Sequence, residues 1–129
     1  MPNLFLLFNH NFTSGQMESA RNQLHFFELV LMPPYLKELW AQIPPDLPEL
    51  FTYLAPLRHW LETAAEPKDF VLIQGDFGAT FLMVQFALEI GLTPVYATSR
   101  REVSEEQWED GTVKTVHHFR HSGFRRYGR

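Results

Sequence analysis

Phe70-Val71-Leu72-Ile73-Gln74-Gly75-Asp76-Phe77-Gly78-Ala79-Thr80 is the stretch whose reading decides the fold. The first four residues form an uninterrupted apolar run, which reads as a strand buried on both faces. Gln74-Gly75-Asp76 ends it. Gly78-Ala79-Thr80 then leads into Phe81–Ile90, which is long enough for a helix, with Gly91 as its C′ residue. Pro94-Val95-Tyr96-Ala97-Thr98 follows as another strand. Strand, glycine turn, helix and strand make one βαβ unit. Its turn falls at the carboxyl end of a strand, where open parallel sheets bind ligands. Backbone N–H groups opening a helix suit an anion such as phosphate. Gly75-Asp76-Phe77-Gly78 is neither a full G-x-G-x-x-G nor a P-loop, so the glycines can equally serve only a tight turn.

Outward from this unit the same alternation holds. Asn3–Phe8 is a second apolar run and the expected first strand, ending in the polar loop Asn9-His10-Asn11-Phe12-Thr13-Ser14. Thr13 or Ser14 can cap a helix over Gly15–Phe27, with Met17, Ala20, Leu24 and Phe27 on its apolar face. Glu28–Met32 reads as a strand, stopped by Pro33-Pro34. Tyr35–Ile43 reads as a short helix and Leu47–Ala65 as a longer one broken near Pro56. Trp40 and Trp60 read as core or interface anchors. Glu102–Trp108 reads as a short helical turn, Asp110-Gly111 as a turn, and Thr112–His121 as a last strand at an antiparallel edge. The expectation is one α/β domain over 1–129, with a mostly parallel open sheet and helices on both faces.

Composition narrows the class. With no cysteine in 129 residues, neither a disulfide framework nor a thiolate metal site is available. The N-terminus lacks a signal-peptide n-region, and no apolar segment is long enough to span a bilayer. The expected setting is cytoplasmic, with no membrane partner. The net charge of −4 conceals an asymmetry. Residues 1–99 carry four Lys/Arg and ten Asp/Glu, whereas 111–129 carry Lys114, Arg120, Arg125, Arg126 and Arg129 and no acid. A basic end on an acidic body points to an anionic partner, or to a solvated terminus.

Three polar segments follow three expected parallel strands: Asn9-His10-Asn11, Gln74-Gly75-Asp76 and Ser99-Arg100-Arg101. Adjacent strands would bring them to one rim. Together they offer an imidazole, amides, a carboxylate, a hydroxyl and guanidinium groups. Arg grips phosphate bidentately, Asn and Gln pair with adenine edges, and His transfers protons near neutral pH. Each residue also has a structural reading. His10 can hydrogen-bond its own turn, Asp76 can cap the following helix, and Arg100 and Arg101 can pair with Glu102, Glu105 and Glu106. His117, His118 and His121 do not make a metal site on spacing, because adjacent strand residues face opposite ways. No metal and no cofactor are expected. A cysteine nucleophile, a G-x-S-x-G elbow, an H-E-x-x-H motif and an EF-hand loop are all missing.

Four segments carry a family resemblance: Phe5–His10, Ile73–Ala79, Pro94–Glu102, and Phe119–His121 with Phe124–Tyr127. They resemble small Csx-type CRISPR-associated proteins, which accompany type III CRISPR systems and relate to CARF-type ring nucleases. The resemblance runs nearly end to end. It implies a Rossmann-like (CARF-like) fold and a two-fold homodimer. The implied ligand is cyclic oligoadenylate, above all cyclic tetra-adenylate, with no DNA partner. It further implies a metal-independent ring nuclease that switches off type III CRISPR signalling, or a protein that binds and buffers the messenger without cutting it. A third class is an interaction protein whose basic end docks RNA or another subunit. On this reading the catalytic candidates are His10, His121 and Arg100. Asn9, Asn11, Gln74, Gly75, Asp76, Phe77, Gly78, Thr98, Ser99, Arg101, His118, Arg120 and Arg125 would contact the ligand.

Overall fold

A computed structural model describes residues 1–129 as nine elements. In chain order these are β1 (Leu4–Leu7), α1 (Ser14–Leu24), β2 (Leu29–Leu31), α2 (Pro34–Ala41), α3 (Ala55–Ala64), β3 (Phe70–Ile73), α4 (Phe77–Glu89), β4 (Thr93–Gln107) and β5 (Val113–Arg126). The five strands form one sheet in the order β2-β1-β3-β4-β5. β2, β1, β3 and β4 are parallel and β5 is antiparallel at the edge. This is an open, mostly parallel, Rossmann-like α/β arrangement.

β1 and β3 are buried at every position because both faces of the sheet are covered. Phe5, Leu7, Val71 and Ile73 point into a core shared with α2, α3 and α4. Leu4, Leu6, Phe70, Leu72 and Val95 point the other way, against Ala20 of α1 and Phe26. Trp40 is 1% exposed, and Trp60 lies edge-on to Phe5 with ring centroids 5.4 Å apart. Both tryptophans therefore serve the core.

The helix ends follow their capping residues. Thr13 and Gln16 form a reciprocal capping box at the start of α1. His25 adopts a left-handed conformation (φ 52°) and ends that helix earlier than the apolar spacing implies. Phe27 consequently falls outside α1 and is exposed, and Phe26 takes the buried position. The expected long helix over Leu47–Ala65 shortens to α3. Pro56 sits in its first turn, where no N–H is needed, and the preceding residues form turns. α4 begins at Phe77, so Gly78 lies inside the helix and not in a loop before it.

The largest departure is at the C-terminal end. Glu102–Gln107 is not helical but continues β4, paired residue by residue with β5 from Gln107↔Val113 down to Arg100↔Arg120. Cross-strand bonding overrides the helix preference of a Glu-rich segment here. Beyond Val95, β4 has no strand partner on its β3 side. Residues 99–121 thus form a two-stranded ribbon standing out from the sheet. A bulge between Thr98 and Ser99 marks its root, with Ser122 as the extra residue on β5. The chain end is docked and not frayed: the Tyr127 hydroxyl donates to the Ile73 carbonyl at 2.6 Å, and Tyr127 N donates to Pro94 O.

Candidate functional site

The strand order changes direction between β1 and β3, so the loops after these strands leave the sheet to opposite sides and open a crevice. There Phe8, Asn9, His10, Gln74 and Gly75 line a cleft of about 190 Å³. The adjacency of β1, β3 and β4 thus brings two of the three expected polar segments together at one rim.

The rim is braced from beneath. Trp40 Nε1 donates to the Gln74 carbonyl at 3.0 Å. The same indole covers Gly75, where an added Cβ would lie 2.9 Å from three ring atoms. Glycine is required here for close approach, not for an unusual φ. The Gln74 side chain bridges the diverging ends of β3 and β4, accepting from Ala97 N at 2.8 Å. Asp76 accepts from Ala79 N at 3.0 Å and is the N-cap of α4. Its carboxylate is a cap, which is the structural reading the sequence also allowed. The N–H groups of Phe77 and Gly78, at the start of α4, have no partner within the helix. Phe77, at the first helical position, is 94% exposed and presents an open ring face.

The third segment behaves differently. Ser99-Arg100-Arg101 is strand, not loop, because β4 runs on past the rim. Ser99 and Thr98 flank the bulge at the root of the ribbon. Arg100 stands opposite Arg120. Arg101 donates from Nε to His117 Nδ1 at 3.2 Å. Arg120 makes the one ion pair of the chain, 3.7 Å from Glu102. Arg125 donates to the Tyr96 hydroxyl at 3.0 Å. None of these arginines lines the 190 Å³ cleft. The expectation that Arg100 and Arg101 reach the same rim as His10 and Gln74 is therefore corrected, as is their expected pairing with neighbouring glutamates.

His121 belongs to a second, larger groove of about 610 Å³, shared with Thr13, Gln16, Glu102, His118, Phe119 and Arg120. Its ring packs 5.0 Å from Phe124, and its Nε2 is buried without a hydrogen-bond partner. Burial lowers its pKa, so the imidazole is neutral at pH 7. Between His10 and His121 runs a row of rings: His10 on Phe8, Phe8 on Phe12, Phe12 on Phe124, Phe124 on His121. The two histidines lie at its ends and do not address one atom within a single chain. Asn11 and His10 also line a third, mostly apolar groove of about 550 Å³ beside β2, with Lys37 at its edge. Neither Trp40 beneath Gly75 nor the groove partners Thr13 and Gln16 is marked as site-forming by any local motif.

The fold and rim define an open α/β protein with a crevice at the carboxyl ends of its central strands. No helix is long and apolar enough to cross a membrane. The family model described as the uncharacterized protein MJ1673 family matches residues 2–125, and the chain belongs to that family. It is 45% identical over 127 residues to the uncharacterized protein MJ1673 of Methanocaldococcus jannaschii, covering 98% of each chain. No solved structure matches it.

Proposed function

We propose that the chain is a metal-independent ring nuclease acting on cyclic oligoadenylate, cyclic tetra-adenylate first among the rings. The observation that carries this reading is the convergence of Asn9-His10 and Gln74-Gly75 on one cleft at the sheet's switch point, beside the N-terminus of α4. A phosphodiester suits the free N–H groups of α4. An adenine suits the exposed face of Phe77, because every base stacks on an aromatic ring. The family resemblance in the four segments named above supplies the substrate class.

The reaction transfers no group to the protein. A ribose 2′-oxygen bonds to the adjacent phosphorus as the P–O5′ bond breaks. This leaves a 2′,3′-cyclic phosphate at one end and a 5′-hydroxyl at the other. The 2′-hydroxyl proton goes to a base, and a proton goes to the departing 5′-oxygen. His10 is the imidazole at the cleft and the first candidate for either transfer. Neutral His121 suits a base in the second groove. Holding the 2′-oxygen in line supplies much of the acceleration. A ring of repeated units fits two symmetric sites in a homodimer.

A second reading is binding without cleavage. It is favoured by the absence of any Lys or Arg from the cleft lining, which leaves developing phosphorane charge to backbone N–H groups alone. H10A and H121A, assayed separately with rings of different size and a chelator present, divide the two readings. Loss of cleavage with retained binding in one variant supports the nuclease. An unchanged rate in both removes the histidines from the mechanism.

A further inference from the structure

We propose that the free edge of β4 pairs with the same edge of a second copy of this chain, antiparallel, about a two-fold axis at Val103. The edge is open. β3 covers β4 only as far as Val95, and Val103 is 59% exposed. The backbone is oriented for it. Thr93 N and Ala97 N both point toward β3, the first bonding Asp69 O and the second Gln74 Oε1, whereas Trp108 N points toward β5. Strand N–H groups alternate sides, so Ser99, Arg101, Val103 and Glu105 present unpaired N–H and C=O groups on the open side. A two-stranded ribbon with such an edge is poorly stable alone.

The occupant is selected by charge. Antiparallel pairing about Val103 sets Arg101 opposite Glu105 of the partner subunit and Arg100 opposite the partner's Glu106, each pair occurring twice. Val103 meets the partner's Val103 at the centre, as a hydrogen-bonded pair. Moving the axis by one residue sets Glu102 against the partner's Glu102, or Glu102 against the partner's Glu106. Opposite charges facing across a pair stabilise it and like charges destabilise it. Within its own chain Arg100, Arg101 and Glu105 face no opposite charge across β5, and Glu106, which stands opposite Lys114, makes no ion pair with it, Arg120–Glu102 being the only one. The other open edge, on β5, carries Lys114, His117, His118, Arg120 and His121 with no acid, so it cannot be its own complement. An isologous β4 contact also closes after two copies. The pairing needs no ligand and stands apart from the proposed activity.

Charge swapping tests this with sedimentation equilibrium at low salt. R101E sets like charges opposite each other twice and should weaken the dimer by tenfold or more, on the order expected for two reversed cross-strand pairs. E105R should do the same. The double swap R101E/E105R restores both pairs and should restore the dimer. A second measurement does not depend on charge. The chain has no cysteine, so V103C should form a disulfide-linked dimer on mild oxidation, because a hydrogen-bonded antiparallel pair holds its Cα atoms about 5.5 Å apart. E105C should not, as its counterpart lies four residues along the strand. A monomeric wild type, a double swap no better than the single reversals, or equal cross-linking of V103C and E105C would overturn the proposal.

Discussion

Replacing Gly75 by alanine probes the brace beneath the rim. The new methyl would lie 2.9 Å from Cε2, Cζ2 and Nε1 of Trp40. That indole cannot retreat freely, because it is fully packed and tied to the Gln74 carbonyl at 3.0 Å. Overpacking of this kind costs about 1–3 kcal/mol. Restricting the unfolded chain by losing a glycine returns about 0.4–1 kcal/mol. G75A should therefore lose about 1–2 kcal/mol. W40F alone removes ring volume and the N–H···O bond, and should cost about 2–3 kcal/mol. In G75A/W40F the smaller ring makes room for the methyl, so the double variant should be about as stable as W40F. The two changes would then couple by about 1–2 kcal/mol. Urea denaturation followed by far-UV circular dichroism, with slope m held common, gives the four values. Strict additivity, or a G75A no less stable than wild type, would refute the contact between Gly75 and Trp40.

Further outcomes follow from single contacts. D76A removes the cap of α4 and should cost about 1 kcal/mol by denaturation, with D76N largely retaining stability. Y127F removes the hydroxyl bonded to Ile73 O and should cost about 1 kcal/mol; limited proteolysis should then cut earlier near the C-terminus. His121 gives a pH dependence. Its folded pKa is depressed below the ordinary value of about 6.5, so the unfolded chain binds the proton first. Its contribution is flat above about pH 6.5, and stability falls as pH drops from there through the lower folded value. Thermal melts at pH 7.5 and pH 5 should show a smaller acid loss for H121F than for wild type.

The central strands are legible in the sequence because burial on both faces leaves an unbroken apolar run, as in Phe70–Ile73. The antiparallel edge is legible from alternation in Thr112–His121. The reach of the ribbon is not. Glu102–Gln107 is solvated on both faces, so no apolar period marks it as strand, and its composition favours helix. Only pairing with β5 decides its conformation. At the rim, Asn9, His10, Gln74 and Gly75 are identified from their places after strands. What Gln74 and Asp76 do there is not, because Ala97 N and Ala79 N become their partners only once β4 and α4 are in position. Placing the arginines at the same rim requires β4 to end near Thr98, and the continuation of that strand carries them away.

Mass spectrometry of the product after cyclic tetra-adenylate is incubated with the chain and excess chelator addresses the central claim most directly. Linear fragments ending in a 2′,3′-cyclic phosphate are expected, and they should disappear when His10 is replaced by alanine. Recovery of the ring intact at enzyme excess, or cleavage that needs an added divalent ion, would contradict it.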